Sequence, residues 1–269
     1  MTMIKEICFH ISLYKSFVRM DINRIKLYPV DFLLGNLGFF VDTISNLFVL
    51  YIIMNTTNLL GEFNGYQMLL FYSFIMLSNS IWEIFFVTVL EIPYMIHTGE
   101  LDIFLLRPLN ILYQFVIFQL DEESVFEAIF SFGLLVFSLI QMNEIINAIF
   151  LLKLVIYLIS AILVKYAIYL FLSSLSFWWL SNDGLKSIIW EISQLANYPL
   201  SIYPAFIRNL LVIIPFGFIG YFPVRDLLFN DRLINTSFFI NSLVGIVSFV
   251  LVYKTIWTLG LKKYKSAGG

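Results

Sequence analysis

The sequence predicts an all-α membrane protein with six transmembrane helices, and three observations predict it. Of 269 residues, 60% are hydrophobic and 13% charged, with a mean hydropathy of +0.89; a soluble domain is about half apolar and a quarter charged. Seven stretches of 16 or more residues contain no Asp, Glu, Lys or Arg: 43–61, 63–82, 128–143, 166–182, 192–207, 209–224 and 233–253. Basic residues gather at both ends: Lys5, Lys15, Arg19, Arg24 and Lys26, then Lys254, Lys262, Lys263 and Lys265. The positive-inside bias therefore places both ends in the cytoplasm, which requires an even number of crossings. A water-soluble enzyme is excluded. So is an outer-membrane barrel, whose strands alternate in polarity, because a run such as Phe238 to Val252 is apolar on every side.

Residues 1–27 form the first element. Ile4, Ile7, Cys8, Ile11, Tyr14, Val18, Ile22 and Ile25 recur at helical spacing, with Lys5, Ser12, Lys15, Arg19, Asn23 and Lys26 on the opposite face. That pattern is an interfacial amphipathic helix, a membrane anchor with room to dock a partner. No short apolar core and small-residue cleavage site follow the early basic residues, so no cleavable signal is expected. The spans follow at about 30–55, 66–90, 122–142, 148–180, 187–220 and 236–259. The fifth is too long for one straight crossing and contains Pro199, Pro204 and Pro215. It is expected to rise as a helix and then break into re-entrant pieces. Trp178, Trp179, Trp190 and Trp257 fall at the predicted cytoplasmic interface. An outer loop, 221–235, carries Arg225, Asp226, Asp231 and Arg232. All of this forms one transmembrane domain, 1–269.

Chemistry of the enzymatic kind is missing from the pattern. Cys8 is alone, His10 and His97 are isolated, and no phosphate-cradling, zinc-protease, nucleophile-elbow or dinucleotide motif occurs. If ATP drives the protein, another polypeptide binds it. Between spans two and three, Gly99 can end one short helix, Glu100 and Asp102 suit the start of the next, and Pro108 stops it. This is either an ordinary surface loop or a stubby helix able to receive a push from a motor. Four charges fall inside spans: Asp42, Glu83, Lys165 and Glu191. They either line a polar path suited to a cationic or amphipathic substrate or form a structural pair. The 29 Phe and 15 Tyr allow an apolar cavity, though such rings commonly pack helices.

Two segments carry a family resemblance. Gly99-Glu-Leu-Asp-Ile-Phe-Leu-Leu-Arg-Pro-Leu-Asn110 resembles the G-E-L-D-x-x-L-L-R-P signature of the six-span permease subunits of ABC-2 type exporters. Tyr198-Pro-Leu-Ser-Ile-Tyr-Pro204, Ile214-Pro215 and Phe222-Pro-Val-Arg-Asp226 are similar to the Y-P-x-x-x-Y-P, I-P and F-P segments of the same family, in order and spacing. The resemblance implies that 92–112 is a coupling segment, with Gly99, Glu100, Leu101, Asp102, Leu105, Arg107 and Pro108 meeting a separate ATPase. It implies a re-entrant outer region at 199–223, where Tyr198, Pro199, Tyr203, Pro204 and Pro215 shape an exit gate. Expected partners are two ATPase subunits, a second like or homologous permease, and membrane lipid; no nucleic acid is expected. ATP and Mg would sit on the ATPase, leaving this chain without a cofactor of its own. A cell membrane, bacterial in origin, is the expected location. The competing reading, an ion-coupled secondary transporter or channel, calls for inverted repeats that the two halves do not show.

Overall fold

A computed structural model describes residues 12, 15–16, 19–20, 23, 26–27, 29–57, 59–118, 121–142, 147–179, 182–230 and 235–266. The amphipathic helix expected at 1–27 lies largely outside the described residues. Among those described, the chain is an all-α membrane protein, with one isolated β-bridge between Leu60 and Phe63.

Five helical stretches are long and apolar enough to cross a membrane: Leu33–Ile53, Gly65–Thr98, Glu123–Met142, Ala148–Phe177 and Thr236–Lys263. They contain α1 (Pro29–Thr56), α2 (Gly65–Phe86), α6 (Glu122–Met142), α7 (Ala148–Ser174) and α11 (Thr236–Val252). Starts are set by asparagine. Asn64 and Gln67 form a reciprocal capping box on α2, Asn147 accepts from Phe150 N at 2.8 Å, and Asn235 accepts from Phe238 N at 2.6 Å.

The core arises where α2 lies along α6 and α7 lies along α11. Phe71, Phe74, Trp82, Tyr157, Val164 and Leu170 are buried there. Gly245 makes the second pairing possible, because a Cβ at that position would collide with the backbone of Ser160. The Ser160 hydroxyl completes the contact, donating to Asn241 O at 2.6 Å and accepting from Gly245 N at 3.2 Å. In contrast α1 is peripheral, with Leu33, Leu37, Val41, Ile44 and Phe48 exposed along its length. In a membrane such a face meets lipid or another chain.

Tyr157 meets Phe238, Tyr166 meets Phe249 and Phe177 meets Trp257, so α7 and α11 run in the same direction. The chain between them must therefore return from one end of the bundle to the other. It does so in pieces: α8 (Asp183–Leu195), a 3-10 turn at Leu200–Ile202, α9 (Ala205–Ile213), a second turn at Phe216–Phe218, and α10 (Tyr221–Phe229). The last part bends by 77° between Ala205–Ile213 and Phe216–Phe229. The break expected within 187–220 is present, and the helix that precedes it, Asp183–Leu195, has 13 residues. One expectation is corrected. Residues 221–229, expected as loop, are helical with Asp226 buried, because Tyr221, Val224 and Leu227 give that stretch an inward face.

Proline chemistry explains the breaks. Pro199 has no N–H to continue a helix and leads the first 3-10 turn, while Pro204 precedes α9 in an extended conformation. Ile214, restricted by the following Pro215, has ψ 100 and ends α9. Helix-end carbonyls freed by such breaks need donors. Tyr203 supplies one, its hydroxyl donating to Leu195 O at 2.9 Å.

Candidate functional site

Two regions carry the charged and polar residues singled out from the sequence: a lever at the end of the bundle where α11 finishes, and a cavity between α1, α2 and α8.

The lever begins where α2 runs through a 3-10 turn (Val87–Glu91) into α3 (Ile92–Thr98). Gly99 ends α3 in the left-handed region, with φ 81, and the chain turns at once into α4 (Leu101–Leu105). Beyond Pro108 comes α5 (Ile111–Phe118), whose first turn is capped by Asn110 Oδ1, accepting from Leu112 N at 2.9 Å. The side chain of Gln114, buried, donates to Phe104 O at 2.8 Å and Leu109 O at 3.0 Å, stapling α4 to α5. Leu101 and Phe104 point inward. Phe104 stacks edge-on to Phe115 at 5.0 Å, Phe115 to Trp257 at 6.4 Å, and Trp257 to Phe177 at 5.8 Å. The short helices are thus bonded to one another and packed against one end of the bundle.

Its residues divide into two faces. Ile103, Leu105 and Leu106 point outward, Leu106 being 86% exposed. Arg107, also exposed, folds its guanidinium over the Phe104 ring at 5.7 Å. Glu100 and Pro108 are exposed beside them. Asp102 is half-buried and turned toward the C-terminal segment, where Ser266 Oγ donates to its Oδ2 at 2.5 Å. Burial, with the Asp102 carboxylate alongside, pushes the Tyr264 phenol up to about 12.

The cavity, about 510 Å³, opens between α1 (Asp42, Thr43, Asn46), α2 (Tyr72, Asn79, Glu83), α7 (Lys165, Tyr169) and α8 (Trp190, Ser193, Gln194), with Glu127 of α6 and Phe216 completing the wall. Of the four intramembrane charges expected from the sequence, three line it. Glu191 does not; it is exposed elsewhere on α8. Lys165 Nζ lies 3.3 Å from Glu83 Oε1 and 4.4 Å from the centre of the Trp82 ring. The pairing that sequence left open is therefore present, and it faces the cavity. Burying both charges costs desolvation, which the indole face and the Ser124 hydroxyl, 3.2 Å from Glu83 Oε2, partly offset. Asp42 accepts from Asn46 Nδ2 at 3.0 Å. Lys165 is engaged by Glu83, and Asp42 and Glu127 add two further carboxyl groups to the wall.

Sequence reasoning missed Glu127, masked by its place at the start of a long apolar run, and it missed a second buried pair. Lys153 Nζ lies 3.2 Å from Asp226 Oδ2, and both side chains are 2% exposed. Asp226 also accepts a short bond from the Tyr157 hydroxyl and bonds from Asn230 Nδ2 at 2.7 Å and Asn235 Nδ2 at 3.3 Å. Lys153 donates to Asn230 O at 2.8 Å. This network pins α10 against α7 and α11. At the same end Arg225 Nε donates to Glu62 Oε2 at 3.0 Å, tying α10 to the loop before α2. A lone lysine near the start of the apolar run of α7 was the available signal. Of the residues expected at a gate, Pro199 is buried, Tyr198, Tyr203 and Pro215 are half-buried, and Pro204 is exposed.

Among the described residues no group of three or more His, Cys, Asp or Glu is placed to hold a metal ion. A family model described as "ABC-2 family transporter protein" matches residues 40–268. No curated protein matches the chain.

Proposed function

Because the chain belongs to the ABC-2 family of transporter proteins, we propose that it is the permease subunit of an ATP-driven exporter, worked by a separate ATPase. Membership makes it a multi-pass membrane component of a transport system. The observation that carries the finer reading is the lever: three short helices at one end of the bundle, stapled by Gln114, with Leu106 and Arg107 presented outward. A rigid element packed onto α7 and, through Phe115, onto Trp257 beyond the end of α11 can transmit displacement, which a flexible loop cannot.

In this reading both termini and the lever are cytoplasmic, and 183–229 makes the fifth of six crossings in broken form. Two ATPases bind below, holding ATP and Mg, while a second like or homologous permease closes the open side of the cavity. Polar groups on α1, on α8 and just after it support that closure, since Asp42, Asn46, Gln194 and Asn197 are unfavourable neighbours for lipid. Approach of the two ATPases would push the levers and narrow the cavity toward 199–223. The cargo is an amphipathic, drug-like or antibiotic molecule, and the carboxyl groups of Asp42 and Glu127 with the rings of Tyr72, Tyr169 and Trp190 suit a cationic one.

The test is affinity purification of the intact protein from its own membranes in mild detergent, followed by ATP-dependent uptake into inverted vesicles. Recovery of an ABC ATPase with the permease, and uptake that stops when that ATPase is removed, is the expected result. Repeated recovery without any ATPase, or uptake sustained by an ion gradient alone, contradicts the proposal.

A further inference from the structure

The resemblance to exporter permeases assigns Asp102 to the ATPase contact, but its carboxylate faces the other way. The chain leaves the bundle through a π-helical turn, Tyr253–Trp257, and α12 (Thr258–Lys263), and then comes back to the lever. Gly260 lets α12 approach Phe177 closely, since a Cβ there would collide with the ring. Tyr264 N donates to Gly260 O at 2.9 Å as the helix ends, and the Tyr264 ring meets Phe177 edge-on at 6.1 Å. From that fixed point Ser266 reaches Asp102. A second strut runs from Asn110 Nδ2 to the Tyr253 hydroxyl, 3.3 Å away, inside the π-helical turn. Such turns interrupt regular helices and recur at functional sites. The lever is therefore held at the start of α4 and at the start of α5 by the segment that follows α11.

We propose that Tyr264–Ser266 is a clasp on the lever: Asp102 is a positioning residue that binds the C-terminal segment and fixes the angle at which Ile103, Leu106 and Arg107 meet the ATPase. The proposal rests on the permease reading and reassigns a residue within it. Asp102 is bonded to Ser266 whereas Ile103 and Leu106 are exposed, so the two roles are separable by substitution.

The experiment uses the full chain carrying Cys8→Ser, purified with the ATPase that accompanies the wild-type protein from its host. Asp102→Cys with Ser266→Cys should form a disulfide in membranes on mild oxidation. Asp102→Ala alone should lower ATPase retention about threefold to tenfold, the scale of one partly solvated charge-assisted hydrogen bond. The oxidised double-cysteine protein should retain ATPase like wild type and lose it to the same extent on reduction, a reversal that a general folding defect does not produce. Leu106→Asp should abolish retention even with the disulfide formed. If the disulfide does not form, or if retention is unchanged in Asp102→Ala and on reduction, the clasp is wrong while the lever stands. If Leu106→Asp also retains the ATPase fully, the permease reading of the lever fails with it.

Discussion

Lys153 and Asp226 stand 73 residues apart in sequence and 3.2 Å apart in space, each 2% exposed, and together they fasten the broken return segment to the core. The pair closes a network in which Tyr157, Asn230 and Asn235 also bind Asp226. Removing one partner strands the other charge in a nearly dry site, a loss of about 3–5 kcal/mol. Lys153→Met or Asp226→Asn should each lower the thermal unfolding midpoint in detergent well below wild type. The double variant should recover part of that loss, because no charge is left unpaired. Equal and additive losses would show that the two side chains act independently.

Glu83 and Lys165 form a softer pair. Glu83 is 31% exposed toward the cavity, so water screens it, and the effect of a substitution should be smaller than at Lys153. Glu83→Gln is expected to cost about 1 kcal/mol or less in stability, while reducing ATP-dependent uptake several-fold because the cavity wall loses a charge. Unfolding and vesicle uptake measured on the same preparations separate the two effects. A large stability loss with normal uptake would make the pair purely structural.

The crossing of α7 and α11 depends on a missing side chain. Gly245→Val forces a side chain against the Ser160 backbone, and overpacking of this kind costs about 1–3 kcal/mol or more. Gly38 in α1 has nothing within 4 Å of where a Cβ would sit, so Gly38→Ala should be neutral or slightly stabilising. Thermal unfolding of both variants, side by side, checks the ranking. Equal behaviour would contradict the close approach at Gly245.

Tyr203 links the break to the end of α8. Tyr203→Phe removes the bond to Leu195 O and should cost about 0.5–1.5 kcal/mol. Hydrogen exchange across 195–204 should quicken, with α7 and α11 unchanged. Faster exchange throughout the bundle would mean that the tyrosine supports the whole fold.

Much of this architecture is legible in the sequence because lipid imposes it. The apolar runs at 122–142 and 236–259 become α6 (Glu122–Met142) and the stretch Thr236–Lys263, and the Asn caps sit where the polarity changes. Gly99 and Pro108 bound the short α4 as their backbone preferences dictate. What escaped is pairing over distance. Arg225 and Asp226 read as a solvated loop because adjacent charges usually are, and nothing local says that Lys153 lies opposite Asp226. Asp102 likewise fits the first turn of a helix on its own, and only the folded chain brings Ser266 to it. Hydropathy places a residue in depth; which neighbour it meets there depends on the packing of helices remote in sequence.

The central claim is that the lever faces the cell interior and meets the ATPase there. Leu106→Cys in the Cys8→Ser protein tests it with a membrane-impermeant maleimide, because the side chain is 86% exposed. Labelling should be absent in sealed cells, rapid in inverted vesicles stripped of ATPase, and slowed when the ATPase is restored. Rapid labelling in sealed cells would place the lever on the wrong side of the membrane and contradict the account.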